Sequence, residues 1–569
     1  MDAIVFGAAG FIGRHLVAEL LARGQQVAAA VRSDTLSPWL RAQGADTGGL
    51  TVVTADITRP LTGLPEARVV YNTAARFAFG LGREQARAVN VTGALHVLEW
   101  AAGQPRPRRL VHLSGYRVSD ASGDRRPDHA RPGAYEESKA EADRAVRTRA
   151  RALDLPLTIV NPSTVIGPGQ YIGLAALVRD LWNGRLPAVP GGPDTFVPVV
   201  TAGYLARFLA DVPSGPAGEH HWVLDDATPP LPELIRLLAA HLGVRAPRRT
   251  IPVGLLRRLP RRLTGADPET LSFLSADRYP TASARALAAA TGLEMPPVAA
   301  ALRDWADHLV ATRFGTATAR LAPGGFHDVA GSRTWVAGER HRPAHVLLHG
   351  LPMNADLWAP LAGRLPGPLL APDLPGLGRS APAAGPVDAW LAALLAPVRS
   401  RPVLVAHSLA CGPALRFAAA HPERVSGLVL VSPAFLRPPG PWLDRSPLAA
   451  PRLRRMSPAA LARALGTPEG PEVASATADL HRPGVARRVV AALRTVPADR
   501  ERCRALLTQA GVPVRIVTGS EEPVAVPTGH RVTEIAGAGH YPQLTHPAEL
   551  ARHLGAAPAR PADTSSAGR

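Results

Sequence analysis

The apolar run Ala3-Ile4-Val5-Phe6 passes directly into Gly7-Ala8-Ala9-Gly10-Phe11-Ile12-Gly13, and an amphipathic stretch from Arg14 to Arg23 follows. A short apolar run closed by glycines reads as a buried strand, and the apolar spacing after it reads as a helix. Strand, glycine turn and helix in that order commit this part of the chain to a parallel α/β sheet, because a strand continued by a helix returns to the sheet by a crossover. The glycines also specify the turn. Gly7 permits the tight bend, Gly10 lets the backbone approach a pyrophosphate, and Gly13 lets helix and strand pack closely, with the phosphate at the helix N-terminus beside Phe11 and Ile12.

The second strand, Gln26 to Val31, ends in Arg32-Ser33. An Asp or Glu there would hydrogen-bond both hydroxyls of an NAD ribose, whereas an arginine can pair with a 2′-phosphate. NADP is therefore the expected cofactor and NAD the alternative. Arg32 also has a plainer reading, as a solvent-facing cation in an arginine-rich chain. Asp56, just past the strand Leu50 to Thr54, is expected to reach the adenine.

Among 64 lysines and arginines there is a single lysine, Lys139, four residues after Tyr135. Surface cations can all be arginine without loss, but an ammonium is a compact charge that fits between a ribose and a phenol where a planar guanidinium does not. The i, i+4 spacing puts both side chains on one helix face. A phenol ordinarily titrates near about 10, so a neighbouring ammonium must favour the phenolate for proton exchange near neutral pH.

Together with Asn72-Thr73-Ala74-Ala75, Asn90-Val91-Thr92-Gly93, Tyr135-Glu136-Glu137-Ser138-Lys139 and Asn161-Pro162-Ser163, the glycine turn resembles the extended short-chain dehydrogenase/reductase family over about residues 1 to 312. The resemblance implies a doubly wound Rossmann sheet with a small substrate lobe. It also implies Tyr135 as general acid or base, Lys139 on the ribose and Ala74 against the cofactor. A Ser or Thr beside the tyrosine is implied as well, yet in Leu113-Ser114-Gly115-Tyr116-Arg117-Val118 the alignment on Val118 puts Gly115 where that hydroxyl belongs. Ser114, one residue early, is kept as a candidate catalytic residue. Tyr116 or a substrate hydroxyl are the substitutes, and slow turnover by a cofactor-sensing domain is the other outcome. The lobe is expected after Gly167-Pro168-Gly169, with Phe196 to Val200 as a returning strand and His220, His221 and Trp222 either lining the site or packing the lobe.

At 569 residues the chain exceeds what one hydrophobic core organises. Residues 1–314 are assigned to the first domain, and 315–325, without an apolar period, to a linker. A second domain, 326–555, opens with strands at Phe326 to Ala337 and His345 to Leu348. His349-Gly350-Leu351-Pro352, Asp373-Leu374-Pro375-Gly376-Leu377-Gly378-Arg379-Ser380, the strand Val403 to Ala406 running into His407-Ser408-Leu409-Ala410, and Gly537-Ala538-Gly539-His540 resemble the α/β-hydrolase fold. Ala406 and Ala410 replace the glycines usual around the nucleophile turn. The resemblance implies Ser408 as nucleophile, His540 as base and Glu522 as the acid that orients it, with Glu521 as the alternative acid. The N–H groups of Leu351 and Leu409 would form the oxyanion hole, and the chemistry would be acyl transfer to water. A serine nucleophile sets aside the dehalogenation and epoxide opening of aspartate relatives and leaves esters, thioesters, lactones and certain carbon–carbon bonds. Pro433 to Ala510 is expected to form a helical cap, and 556–569, rich in Pro, Ala and Ser, a disordered tail.

The formal charge of +18 raises nucleic-acid binding, but the arginines are scattered and no finger or zipper pattern accompanies them. Small-molecule substrates are expected, with neither a nucleic-acid nor a membrane partner, since no apolar run approaches the roughly 20 residues of a span. Cys411 and Cys503 are too few for a disulfide framework or a thiolate zinc site; free thiols, no metal and a cytoplasmic location are expected. The expected protein is bifunctional, joining NADP-dependent oxidation or reduction of a hydroxyl or carbonyl to serine-dependent hydrolysis. The alternative is a redox-neutral epimerase or dehydratase, or a cofactor-sensing module, attached to an active hydrolase.

Overall fold

The computed structural model describes residues 1–76, 82–118, 134–256, 258, 274–317, 321–438, 446, 448–522, 524–525, 530 and 532–555. The tail expected at 556–569 lies outside the described residues. The chain divides into two units, Met1–Leu181 with Arg185–His308, and Trp182–Gly184 with Leu309–Arg569.

In the first unit β1 (Ala3–Phe6), β2 (Val27–Val31), β3 (Leu50–Thr54), β4 (Val69–Asn72), β5 (Arg109–Leu113), β6 (Leu157–Pro162) and β7 (His220–Val223) form one sheet in the order β7-β6-β5-β4-β1-β2-β3. Every pairing is parallel. The strands β1, β2 and β4 are buried along their whole length because both faces of the sheet are covered. Ala3 and Val5 join one core with Leu16, Val17 and Leu20 of helix α1 (Phe11–Ala22), whereas Ile4 and Phe6 join another with Val97, Leu98 and Val146. Two cores on one sheet are the doubly wound arrangement.

Two local expectations need correction. His220, His221 and Trp222 form the edge strand β7 of the main sheet rather than part of a lobe, paired with Ile159, Val160 and Asn161. The returning strand is Val199–Thr201, paired with Thr164–Ile166, while Phe196 makes only an isolated bridge to Ser275. Strand pairing between segments this far apart leaves no mark in local sequence periodicity.

In the second unit β8 (Gly324–Val329), β9 (Ser332–Gly338), β10 (His345–Leu348), β11 (Leu369–Pro372), β12 (Val403–His407), β13 (Gly427–Val431), β14 (Val514–Gly519) and β15 (Val532–Ile535) run in the order β8-β9-β11-β10-β12-β13-β14-β15. The stretch expected as one opening strand is a hairpin, β8 against β9, because Ala330 and Gly331 take φ +51° and +74° and reverse the chain. From β11 onward along the sheet the pairings are parallel. Helices α2 (Ala449–Arg455), α3 (Pro458–Leu465), α4 (Pro471–Leu480) and α5 (Val485–Thr508) intervene between β13 and β14. Their residues Leu461, Val473, Leu480 and Val489 enter the same core as the sheet. Among the described residues no helix is long and apolar enough to cross a membrane.

Candidate active sites of the two units

At the end of β1, Gly7 takes φ +78°, and a Cβ there would lie 2.7 Å from the Cα and N of Ala74, at the end of β4. A Cβ on Gly13 would lie 2.2 Å from the carbonyl oxygen of Gly7. These backbone-to-backbone approaches bring Gly7, Gly13 and Ala74 to one point at the carboxyl edge of the sheet. Gly10 precedes α1 with extended backbone, and neither a capping side chain nor an acid occupies the first turn, so the positive helix end at Phe11 and Ile12 suits an anion. The cradle fits the pyrophosphate of a dinucleotide. Arg32 and Asp56 stand exposed past the ends of β2 and β3. Asp56 accepts the N–H and hydroxyl of Thr58 at 3.0 and 2.8 Å, and these bonds hold its carboxyl below the usual range.

Tyr135 and Lys139 lie on a helix spanning Ala134–Ala152. Asn90 Nδ2 donates to Ser138 Oγ at 2.9 Å, and Ser138 Oγ donates to the Tyr135 carbonyl at 2.8 Å, fixing the helix start. The Lys139 Nζ donates to the Leu113 carbonyl at 3.0 Å, at the end of β5. Burial lowers this ammonium to about 8, with Asp143 opposing. Burial also pushes the Tyr135 phenol up to about 12, and the charge of Glu136 adds to it. The direction is opposite to the activation expected from a neighbouring ammonium: desolvation of the phenolate dominates, and the phenol is held protonated.

Ser114 Oγ is buried and has no hydrogen-bond partner among the described residues. A Cβ on Gly115 would meet Lys139 Cβ and Val118 Cγ2 at 3.6 Å, so a side chain at position 115 would contact the lysine. Tyr116 is packed edge-on to Tyr279 at 5.3 Å within a cluster that includes Phe196 and Trp222, and burial pushes its phenol up.

In the second unit Ser408 follows β12 with φ +54°, a left-handed conformation that a non-glycine residue adopts only where the surroundings impose it. A Cβ on Gly350 would lie 2.5 Å from His407 Nδ1 and 2.7 Å from Ser408 Cβ, so the segment carrying Leu351 passes directly against this turn. Tyr541 Oη donates to the Leu351 carbonyl at 2.7 Å, and His407 Nε2 donates to the His540 carbonyl at 2.9 Å. These bonds seat the imidazole. His540 Nε2 is 2.9 Å from Ser408 Oγ, and His540 Nδ1 is 2.5 Å from Glu522 Oε1. Glu522 is buried, whereas Glu521 is exposed. Burial opposes the charge on Glu522, but the hydrogen bond and charge of His540, with Arg437, hold it down to about 2. Burial lowers His540 below its ordinary value, with Glu522 opposing and Arg437 adding to the decrease.

Residues 3–188 match the NAD dependent epimerase/dehydratase family, and residues 346–553 match the alpha/beta hydrolase family. Over 276 residues, 46% of this chain and 87% of the relative, the chain is 31% identical to the 3-diazoavenalumate denitrifying reductase of a Streptomyces species. It is 30% identical over 273 residues, 45% of this chain and 79% of the relative, to sterol demethylase protein B of Methylococcus capsulatus. The chain belongs to the epimerase/dehydratase family, fused to an α/β-hydrolase. On the hydrolase side it is 40% identical over 111 residues, 18% of this chain, to the pimeloyl-[acyl-carrier protein] methyl ester esterase of Aromatoleum aromaticum, and spans 44% of that relative.

The epimerase/dehydratase unit thus carries a glycine cradle at the end of β1 and, on one helix, the Tyr135 phenol and the buried Lys139, while Ser114 Oγ makes no hydrogen bond among the described residues. The α/β-hydrolase unit brings Ser408, His540 and Glu522 into one hydrogen-bonded line. Sequence reasoning missed two residues there. His407 adjoins Ser408 in the quoted motif and could have been found from it. Arg437, with Nε 2.5 Å from Glu522 Oε1 and Nη1 3.5 Å from His540 Nε2, carries no local signal.

Proposed function

We propose that the protein is a bifunctional enzyme: a serine hydrolase of esters, thioesters or lactones, joined to an NADP-dependent reductase of a carbonyl compound. The observation that carries the hydrolase half is the line Ser408 Oγ, His540, Glu522, at 2.9 and 2.5 Å. His540 Nε2 takes the Ser408 proton as Oγ attacks the acyl carbon, and Glu522 holds the Nδ1–H and offsets the imidazolium. The N–H groups of Leu351 and Leu409 receive the oxyanion, and His540 then protonates the leaving group. Water repeats the sequence and frees the acid.

In the reductase half a bound nicotinamide supplies hydride. Gly7, Gly10, Phe11, Ile12, Gly13 and Ala74 would hold the pyrophosphate end, Arg32 would favour a 2′-phosphate, Asp56 would bind the adenosine, and Lys139 would bind the ribose. Tyr135 is the phenol that would give its proton to the carbonyl oxygen as hydride arrives. The Streptomyces relative is itself named a reductase. Gly115, with no hydroxyl facing Lys139, supports the second reading, a redox-neutral or cofactor-sensing unit.

Purified protein is assayed for NADPH oxidation against a panel of ketones and aldehydes, and for release of p-nitrophenol from activated esters. Ser408→Ala should abolish the second activity, and Tyr135→Phe the first. Retained ester hydrolysis in Ser408→Ala would sink the hydrolase assignment, and tight NADPH binding without consumption would move the first unit to the second reading.

A further inference from the structure

We infer that Arg437 is an anion-recognition residue of the hydrolase unit, and that the acyl compound cleaved at Ser408 carries a carboxylate or comparable anion beside its scissile carbonyl. This rests on the reading of Ser408 as nucleophile and goes on to the class of substrate.

Arg437 follows the short turn Ala434–Leu436 beyond β13, at the carboxyl edge where Ser408 and Glu522 also lie. Its side chain is 41% exposed, so the guanidinium is reachable from solvent. Arg379, by contrast, is 5% exposed and closed off by Asp356 and Asp373. Arg437 Nε shares the Glu522 Oε1 that accepts from His540 Nδ1, and Nη1 stands 3.5 Å from the Nε2 that must take the serine proton. Both placements oppose catalysis on a neutral substrate. A cation beside Nε2 disfavours imidazolium, and a carboxylate oxygen engaged by a guanidinium stabilises that imidazolium less.

An anion on the substrate reverses both effects. It takes the solvent-facing N–H groups of Arg437 in charge-assisted hydrogen bonds, offsets the cation at Nε2 and leaves Glu522 to the imidazole. A neutral molecule of the same shape gives none of these. The arginine would thus discriminate by charge at the reacting centre, where a guanidinium serving only stability could sit anywhere along Glu522.

The test uses the full chain and the rate at which a neutral alkyl fluorophosphonate labels Ser408, a readout that needs no knowledge of the leaving group. Hexanoate and hexanamide serve as protectors of equal length. Hexanoate should slow labelling by about fivefold or more while hexanamide does so by less than about twofold, and Arg437→Gln should remove the difference. Arg437→Lys, which keeps a cation, should retain part of the hexanoate effect. In Arg437→Gln the acid limb of the labelling rate should also move to higher pH, as the imidazole loses its neighbouring cation, a shift that a purely structural arginine would not produce. Equal protection by the two compounds in the wild type, or hexanoate protection surviving in Arg437→Gln, overturns the inference and leaves the nucleophile standing. A wild type that labels no faster than Ser408→Ala removes the nucleophile reading itself.

Discussion

Replacing Arg313 by alanine should unfold the hydrolase unit at markedly lower temperature, although the residue lies far from Ser408 in sequence. Arg313 and Phe314 take φ +49° and +55°, and the guanidinium turns into the unit with 14% of its side chain exposed. It donates to both oxygens of Asp479 at 3.0 and 3.1 Å and to Asp356 at 3.2 Å. Arg379 bridges Asp356 and Asp373 at 2.9 and 2.7 Å, and Arg482 lies 3.6 Å from Asp479. Asn354 and Ser475 complete the bonding, at 2.7 Å to Asp479 and 2.6 Å to Asp356. Three buried guanidiniums face three buried carboxylates, so removing one leaves an uncompensated negative charge, at a cost of about 3–5 kcal/mol. For a unit of this size that corresponds to a fall of roughly 6–20 °C in its melting temperature. Differential scanning calorimetry of the full chain should show one transition moving and the other fixed. Arg313→Ala combined with Asp479→Asn should lose less than the sum of the two single changes, because the orphaned charge goes with the second. The sign with pH follows from the carboxylates. Burial raises Asp356, but Arg379 and Arg313 outweigh it and bring the group down to about 2, and Asp479 is likewise lowered. Their contribution is complete above the unfolded carboxylate pKa of about 3.9 and is lost as pH falls toward about 2. A shift below about 2 °C in Arg313→Ala at neutral pH, or a strictly additive double variant, would refute the network argument.

Gly350→Ala should disable the hydrolase while leaving NADPH binding in place, because its Cβ would lie 2.5 Å from His407 Nδ1 and 2.7 Å from Ser408 Cβ; fluorophosphonate labelling should fall by about tenfold or more. Gly115→Ser should fold normally, since its Cβ meets only ordinary contacts at 3.6 Å, and should raise the rate of NADPH oxidation by placing a hydroxyl toward Lys139; an unchanged rate with normal stability would show that the hydroxyl is not what limits turnover. With Glu522 held to about 2 and His540 below its ordinary value, the acid limb of ester kcat/KM should follow one ionisation below about 6.5 and be flat above it. A two-proton slope between roughly pH 4 and 6 would contradict that assignment.

Much of both sites lay open in the chain because local chemistry enforces it. A glycine turn between an apolar strand and a helix has few other uses, and one lysine among 64 long cations, four residues after a tyrosine, marks its own position. The order Ser408, Glu522, His540 likewise follows from motifs whose backbones are constrained within a few residues. Burial was different: the ammonium at 139 was expected to lower the phenol, and desolvation raises it to about 12.

The local sequence determined which segments are strands entering tight turns and which side chains those turns present, since such conformations depend on neighbours a few bonds away. Only the tertiary structure decided that His220–Val223 closes the first sheet, that Arg313 reaches Asp479 across 166 positions, and that Arg437 meets His540 across 103. An exposed arginine and a buried, paired one look alike in sequence. What separates them is the desolvation and the partners that distant segments impose when they pack.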